Sequence, residues 1–216
     1  MATTVYFVRH GETYFNCFAR LQGWSDTPLT KKGEEDAIRV GRTLAPLKID
    51  YLFSSDLKRA VDTARLLITQ VPGAKMTAPT QEKCFRETFY GSFEGHSNEE
   101  GAIWASHLGK KRLRRIGEVI DAFGIEKSHD MLKEADPAHL AEDSKQLTTR
   151  SHEVINLLQQ LPDNSTVVVV SHGSFIQYIA SLYGHKTYGS LMNGAMAKFK
   201  LSGHGVEVES YNQLKL

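Results

Sequence analysis

The chain has 216 residues, of which 41% are hydrophobic and 24% are charged, and this composition excludes the disordered, collagen-like and coiled-coil classes. Its 26 basic and 25 acidic residues leave a formal net charge of +1, so the overall charge gives no support for a nucleic-acid or membrane partner. The length predicts one domain over residues 1–216. We expect the protein to be cytoplasmic, because the sequence has no membrane-spanning apolar run and no basic leader.

Strand and helix patterns alternate in the first third of the chain. A short apolar run at residues 5–8 predicts a buried strand, and an amphipathic helix follows over residues 30–45. Residues 50–53 predict a second strand. The polar side chains of residues 54–56 are suited to cap the next helix, which we expect to end before Pro72.

The same alternation returns near the C-terminus. Residues 166–170 form the most strongly β-branched run of the chain and predict a central strand, and an amphipathic helix follows over residues 174–183. Two further runs, at residues 197–201 and 206–211, predict a hairpin that closes one edge of the sheet.

Between these halves, residues 96–150 have a helical period throughout, with breaks at Gly109, Gly124 and Pro137. Alternating strands and helices are typical of a parallel sheet covered by helices. The sequence therefore predicts an α/β fold, a three-layer α-β-α sandwich with a mostly parallel central sheet. We expect the helical insertion to form a cap over the carboxyl edge of that sheet, where open α/β sheets place their ligands.

Charged and imidazole side chains follow three of the predicted strands. Arg9 and His10 follow the first, Arg59 follows the second, and His172 and Gly173 follow the C-terminal strand. In a parallel sheet these strand ends share one edge, so the pattern predicts a local electropositive pocket that suits a phosphate group. The alternative is that both imidazoles are hydrogen-bonded to backbone carbonyls at the strand ends and have no further role.

Ordered motifs accompany these residues along the chain. They are Arg9-His10-Gly11-Glu12-Thr13, Asn16, Gln22-Gly23, Asp26-x-Pro28-Leu29-Thr30-x-x-Gly33, Ser54-Ser55-x-Leu57-x-Arg59-Ala60-x-x-Thr63-Ala64, Arg86-Glu87 and Val170-Ser171-His172-Gly173. Together they resemble the motifs of the histidine phosphatase superfamily, in its phosphoglycerate-mutase-like group. The resemblance covers residues 4–95 and 142–185 and leaves the helical insertion uncovered.

The resemblance implies a role for each matching residue. His10 would be the nucleophile that forms a phosphohistidine, and Glu87 the proton donor to the leaving oxygen. The group that holds the phosphate would comprise Arg9, Asn16, Gly23, Arg59, His172 and Gly173. The resemblance implies no metal and no cofactor, because arginines and imidazoles would balance the phosphoryl charge.

Residues 87–95 and the segment Glu142-Asp143-Ser144 with the downstream Arg150 are more similar to the phosphatase branch than to the mutases. We therefore expect a phosphomonoesterase that acts on a small phosphorylated metabolite. Two alternatives remain, a phosphoglycerate-type phosphomutase and a non-catalytic module that binds a phosphorylated ligand. The sequence does not decide between a monomer and a homodimer.

Substrate selectivity is expected to lie in the uncovered insertion and near Glu87. The basic run at residues 110–115 is by default a solvated face, but Arg112 or Arg115 could face the pocket and select a substrate with a second anionic group. Tyr90 is a further candidate specificity residue.

The remaining cysteines and histidines predict no metal or redox site. Cys17 and Cys84 lack C-x-x-C spacing and are expected to be free, buried or half-buried thiols. Seven histidines lack paired ligand spacing and are expected at the surface: His96, His107, His129, His139, His152, His185 and His204.

Overall fold

The computed structural model describes residues 2–203 and 205–216, so the prediction for His204 lies outside the described residues. The strands are β1 (Thr3–Arg9), β2 (Tyr51–Ser54), β3 (Thr80–Gln81), β4 (Thr166–Ser171), β5 (Met196–Ser202) and β6 (Gly205–Gln213). They form one sheet with the order β3-β2-β4-β1-β5-β6. The first four run parallel, whereas β5 is antiparallel to β1 and to β6. The mostly parallel sheet and its edge hairpin are thus confirmed.

The helices are α1 (Tyr14–Cys17), α2 (Lys31–Leu44), α3 (Lys58–Ile68), α4 (Asn98–Leu108), α5 (Ile116–Phe123), α6 (Ile125–Ala135), α7 (Ser144–Gln159) and α8 (Gly173–Gly184). Helices α2 and α3 cover one face of the sheet, and α7 and α8 cover the other. This arrangement is the predicted three-layer α-β-α sandwich. Within the described ranges, no helix combines the length and apolarity needed to cross a membrane.

Strand β4 shows how the sequence builds the two hydrophobic cores. Val167 and Val169 pack with α7 and α8, while Val168 and Val170 pack with α2 and α3, and all four side chains are buried. Burial of an aliphatic side chain of this size stabilises a fold by about 1.5–3 kcal/mol. Because both faces of β4 are anchored in this way, the residues that follow it are held on a rigid strand end.

Helices α4, α5 and α6 contribute Ala102, Val119 and Leu132 to a third hydrophobic cluster, which also contains Leu21, Tyr90 and Phe93 from outside these helices. The insertion is helical, as its period predicts, and its breaks coincide with Gly109, Gly124 and Pro137. Its last part differs from the expectation, since residue 150 falls inside α7. Leu147 and Val154 of that helix pack into the core formed with the sheet, and α7 also contacts α6.

Helix α2 has a side-chain cap, whereas the predicted cap of α3 is wrong. The Thr30 hydroxyl accepts a hydrogen bond from the Gly33 backbone N–H at 3.0 Å, which satisfies a free donor of the first turn of α2. Helix α3 begins after Leu57 and has no side-chain cap. Ser55 instead accepts from the Leu57 N–H at 3.2 Å, because residues 54–56 belong to the strand end and its turn.

Candidate active site

A cavity of about 470 Å³ lies at the carboxyl ends of β1 and β4, between the sheet and helices α4 and α5. Strand pairing brings its inner wall together, since Arg9 of β1 is in register with Ser171 of β4 and the His10 N–H donates to the Ser171 carbonyl at 3.0 Å. The cavity lining includes Arg9, His10, Asn16, Arg20, Glu87, Tyr90, Arg114, Arg115, Gly173, Ser174 and Gln177. The predicted convergence of strand ends from distant parts of the chain is therefore present.

His10 is buried and held in one tautomer. Its Nδ1 donates to the Gly11 carbonyl at 2.7 Å, so its Nε2 carries the lone pair and accepts from Arg59 Nε at 3.2 Å. Burial, together with the charges of Arg59 and Arg9, lowers the pKa of His10 well below its usual value. The imidazole is therefore neutral, which is the form that can act as a nucleophile.

His172 lies beside His10, with ring centroids 5.1 Å apart and an interplanar angle of 61°. It is fully buried, and neither ring nitrogen has a hydrogen-bond partner within the described part of the chain. The buried Nε of Arg9 is likewise unpartnered there, although its Nη1 donates to the Leu191 carbonyl. These findings argue against the alternative for His172, because a histidine that only closes a strand end would be bonded to a carbonyl.

Glu87 follows a short turn after β3 and is buried. Its Oε1 accepts from the backbone N–H groups of Thr88 at 2.9 Å and Phe175 at 2.8 Å, and its Oε2 accepts from Ser174 at 3.1 Å. Burial raises the pKa of this carboxyl group, while these N–H donors, Arg59 and Arg9 act in the opposite direction. The two backbone N–H donors that follow Gly173 at the start of α8 are thus bonded to Glu87.

Gly23 is not directed at the cavity, and Arg59 reaches the site through its contact with His10 Nε2. The Arg59 side chain is fully buried, and besides His10 it contacts the Asp26 carboxylate and the carbonyls of Gln22, Gly23 and Ser25. The Gly23 N–H donates to Glu94 at 3.2 Å, so it is not directed at the cavity. Arg59 therefore joins His10 to the loop of residues 22–26, because that loop offers a set of acceptors that fits the guanidinium group.

Asn16 lines the cavity and is oriented by its neighbours. Its Oδ1 accepts from the Thr13 backbone N–H at 3.1 Å and from Asn193 Nδ2 at 3.1 Å. Asn193 also donates to the His10 carbonyl at 3.1 Å, which fixes the direction of its own amide. The group that Asn16 can offer to the cavity is consequently its Nδ2 amide, as a neutral donor.

The outer end of the cavity carries three arginines and the acidic side chain of Glu99, whose Oε1 lies 3.4 Å from Arg114 Nε. Arg114 and Arg115 both line it, together with Arg20, whereas Arg112 is exposed and does not. Of the two arginines named as candidates in the basic run, the structure thus brings Arg115 to the cavity, and it adds Arg114 and Arg20. Tyr90 also lines the cavity, and its buried hydroxyl group lies 2.7 Å from Ser174 Oγ.

The structure corrects two of the surface and burial predictions. His129 is buried against Tyr178, with ring centroids 5.6 Å apart, whereas the other five described histidines of that group are exposed. Cys84 is buried as expected, but Cys17 is exposed, and both are free thiols. Among residues 2–203 and 205–216, no cluster of three or more potential metal ligands occurs.

Three residues without a predicted role support the site from outside the cavity: Arg150, Glu142 and Asn193. Arg150 forms an ion pair with Glu142 and contacts the backbone around Glu87. The signal that could have found this pair is the motif at residues 142–150. No sequence motif marks Asn193, because it contacts His10 and Asn16 only once the chain before β5 folds back beside β1.

Comparisons with known proteins agree with this geometry. A family model described as the histidine phosphatase superfamily, branch 1, matches residues 5–213. A relative from Salmonella paratyphi A, named "Probable phosphoglycerate mutase GpmB", is 33% identical over 175 residues, which cover 78% of this chain and 69% of the relative.

Two solved structures extend the comparison. Phosphoglycerate mutase from Bacillus anthracis is 29% identical, with a TM-score of 0.92 and coverage of 99% of this chain and 94% of that one. A phosphoserine phosphatase variant from Entamoeba histolytica shares the fold, with 22% identity, a TM-score of 0.73 and coverage of 98% of each chain. The family resemblance stated from the motifs is confirmed, and the chain belongs to the histidine phosphatase superfamily.

Proposed function

We propose that this protein hydrolyses small phosphate monoesters by passing the phosphoryl group through His10. The observation that carries the proposal is a pair of buried side chains beside His10: the Nε of Arg9 and the ring nitrogens of His172 have no hydrogen-bond partner among residues 2–203 and 205–216. Groups of this kind match the oxygens of a phosphoryl group, because they can donate to negative charge that spreads over those oxygens during transfer. A purely binding protein would not need the carboxyl group of Glu87 at the same cavity.

In the first step, the Nε2 lone pair of His10 attacks phosphorus while the bond from phosphorus to the ester oxygen breaks. Protonated Glu87 gives its proton to that oxygen, so the alcohol leaves in neutral form. For the attack, the Arg59 Nε–H must release Nε2, which it contacts at 3.2 Å. Arg9, Asn16 and the single N–H of neutral His172 would donate to the phosphoryl oxygens, because burial and the neighbouring arginines lower the pKa of His172 well below its usual value.

In the second step, water attacks the phosphohistidine. Glu87, now a carboxylate, takes a proton from that water, and the bond from His10 Nε2 to phosphorus breaks. Inorganic phosphate is released, and His10 and protonated Glu87 are restored. Because Glu87 is buried and its pKa is raised, the protonated form needed for the next turnover is accessible at a higher pH than for an exposed carboxyl group.

The experiment that tests this proposal combines His10→Ala with detection of the phosphoenzyme. The variant should lose turnover of p-nitrophenyl phosphate, and radiolabelled substrate should give an acid-labile, base-stable phosphoprotein in the wild type only. Glu87→Gln should slow turnover by about 10²–10⁴-fold for esters with basic leaving oxygens, the range typical of general acid catalysis. Retention of most activity by His10→Ala would refute the mechanism.

Phosphomutase activity is the second candidate function, and the names of relatives favour it. Both the Salmonella protein and the Bacillus anthracis structure are named phosphoglycerate mutases. A mutase would return the phosphoryl group of His10 to a second hydroxyl group of the substrate instead of to water. Incubation of phosphoglycerate with a bisphosphoglycerate primer distinguishes the two, since a phosphatase releases inorganic phosphate and a mutase forms the isomer.

A further inference from the structure

Arg150 of α7 lies outside the cavity and is paired with Glu142. Its Nε donates to Glu142 Oε1 at 3.0 Å and its Nη2 to Oε2 at 2.7 Å, and the two side chains are only 11% and 10% exposed. A two-point pair of this kind is stronger and more directional than a single contact. Since each charge compensates the other, the guanidinium group can remain buried and use its other N–H groups on neutral partners.

Those other N–H groups contact the backbone that carries Glu87. Arg150 Nη1 donates to the carbonyl of Arg86 at 2.5 Å and to that of Cys84 at 3.2 Å, and Nη2 donates to the carbonyl of Glu87 itself at 3.3 Å. Three carbonyls within four residues thus converge on one guanidinium group. This short irregular segment contains one turn of 3₁₀ helix, and Arg150 makes three of its side-chain contacts. Ser171 Oγ also donates to the Phe85 carbonyl at 2.8 Å, and Trp24 Nε1 to the Glu87 carbonyl at 2.9 Å.

Glu142 holds the chain on the other side of Glu87. Its Oε2 accepts from the Phe89 N–H at 2.8 Å, and its own N–H donates to the Phe89 carbonyl at 2.9 Å. The ion pair therefore spans the backbone both before and after Glu87. A carboxyl group attached at that point has little freedom to move relative to α7.

Arg150 also contacts the element that binds the Glu87 carboxyl group. Its Cζ lies 3.8 Å from the centre of the Phe175 ring, a distance that allows a cation–π contact. The backbone N–H of Phe175 donates to Glu87 Oε1 at 2.8 Å. One guanidinium group therefore connects the peptide backbone of Glu87 with the start of α8, where its carboxyl group is bound.

We propose that Arg150, paired with Glu142, is a positioning residue for proton transfer by Glu87. The proposal rests on the proposed function of Glu87 as the proton donor. Arg150 does not touch the cavity, and its effect is to keep the Glu87 carboxyl group at the distance and angle at which it meets the leaving oxygen. Small displacements of such a group reduce rates strongly, because proton transfer requires hydrogen-bond geometry.

The test uses the full chain and compares esters that differ in their need for a proton. The leaving group of p-nitrophenyl phosphate is p-nitrophenolate, which is stable as an anion, whereas the leaving oxygen of glycerol phosphate must be protonated. The measured quantity is kcat/KM, because it reports the steps up to phosphoryl transfer and not the later hydrolysis of the phosphoenzyme. The variants are Arg150→Lys and the double variant R150M/E142Q, which removes both charges together and so avoids an unpaired buried carboxylate.

We expect each variant to lower kcat/KM for glycerol phosphate by about tenfold or more and for p-nitrophenyl phosphate by less than about threefold. Glu87→Gln should show the same selectivity, and addition of Arg150→Lys to it should cause no further selective loss. Glu209→Gln is the matched control, because it removes an ion-pair partner of Lys198 and Lys200 on the edge hairpin and should leave both substrates unaffected.

Two results would overturn the inference. If the Arg150 variants lower kcat/KM equally for both esters, or for neither, while Glu87→Gln remains selective and His10→Ala is inactive, Arg150 does not act through Glu87 and the proposed function stands. If Glu87→Gln itself shows no selectivity, or His10→Ala retains turnover, the proposed function fails and the inference fails with it.

Discussion

Gly173 provides a test of whether the position of Arg9 controls activity independently of stability. It is the first residue of α8 and is buried against the Arg9 side chain. A Cβ atom at this position would lie 2.9 Å from Arg9 Nε, 3.1 Å from Cζ and 3.3 Å from Cδ. Since unstrained contacts between heavy atoms lie at about 3.5 Å, Gly173→Ala must displace the guanidinium group by roughly 0.5 Å.

The expected effects on stability and activity have opposite signs. Gly173 does not have a positive φ, so alanine can adopt its backbone conformation, and alanine is favoured over glycine in a helix by about 0.5–1 kcal/mol. The clash involves only the end of a long side chain, which can move at small cost to the fold. Activity should fall, because Arg9 Nε is one of the proposed phosphate donors, and a misplacement of this order costs about 10–10²-fold in kcat/KM.

The assay compares kcat/KM for p-nitrophenyl phosphate with the melting temperature of the same preparations. Gly203→Ala is the matched control, since an added Cβ at that position meets no atom within 4 Å. Gly173→Ala should melt at or above the wild-type temperature and lose activity. Gly203→Ala should have the melting temperature and the kcat/KM of the wild type. An unchanged kcat/KM in Gly173→Ala would refute the role of Arg9, and a loss of activity that accompanies a lower melting temperature would refute the separation of the two effects.

Two further predictions concern acid stability and substrate charge. Burial lowers the pKa of His129 from 6.5 to about 4, so the neutral side chain contributes its full stability above pH 6.5. As the pH falls to about 4, the free energy of unfolding should decrease by about 3 kcal/mol. Urea unfolding across this pH range measures the free energy of unfolding, which should fall less in His129→Phe than in the wild type. His152→Gln, a change at an exposed histidine, should show the same fall as the wild type. An equal fall in all three proteins would contradict the reasoning. Arg114→Gln and Arg115→Gln should raise KM for a substrate with a second anionic group by about tenfold and leave that for p-nitrophenyl phosphate unchanged, whereas Arg112→Gln, outside the cavity, should change neither. Similar shifts for both substrates would show that these arginines do not select charge.

The sequence predicts the fold well where local pattern and burial agree. The valines of β4 are β-branched and buried on both faces, so the same residues favour a strand locally and a central place in the sheet. The apolar stripe of α2 likewise predicts both its helix and its packing. The capping of α3 was not predicted correctly, because Ser55 can bond to a turn as readily as to a helix start, and only the surrounding chain decides between them.

The site is predictable to the extent that strand ends determine it. His10 and His172 meet because β1 and β4 are adjacent and parallel. The sequence pattern predicts that the two strand ends share one edge of the sheet, but not that the strands are neighbours. The orientation of the Arg59 side chain is not predictable in this way. Its guanidinium group can point either into the cavity or toward the carbonyls of the loop at residues 22–26, which is distant in the sequence. His129 could have been placed from the sequence, because it lies three residues before the buried Leu132 on the same face of α6.

The arrangement around His10 also explains why β1 and β4 are buried in hydrophobic cores on both faces. Arg9 Nε and the two ring nitrogens of His172 are buried without partners among the described residues, and each such group costs about 1–3 kcal/mol relative to a paired one. The protein tolerates this cost because β1 and β4, whose ends carry these groups, are buried on both faces. A phosphoryl group that accepted hydrogen bonds from Arg9 Nε and from the single N–H of His172 would recover part of that cost on binding, so polar groups that weaken the fold are the ones suited to bind and transfer phosphate.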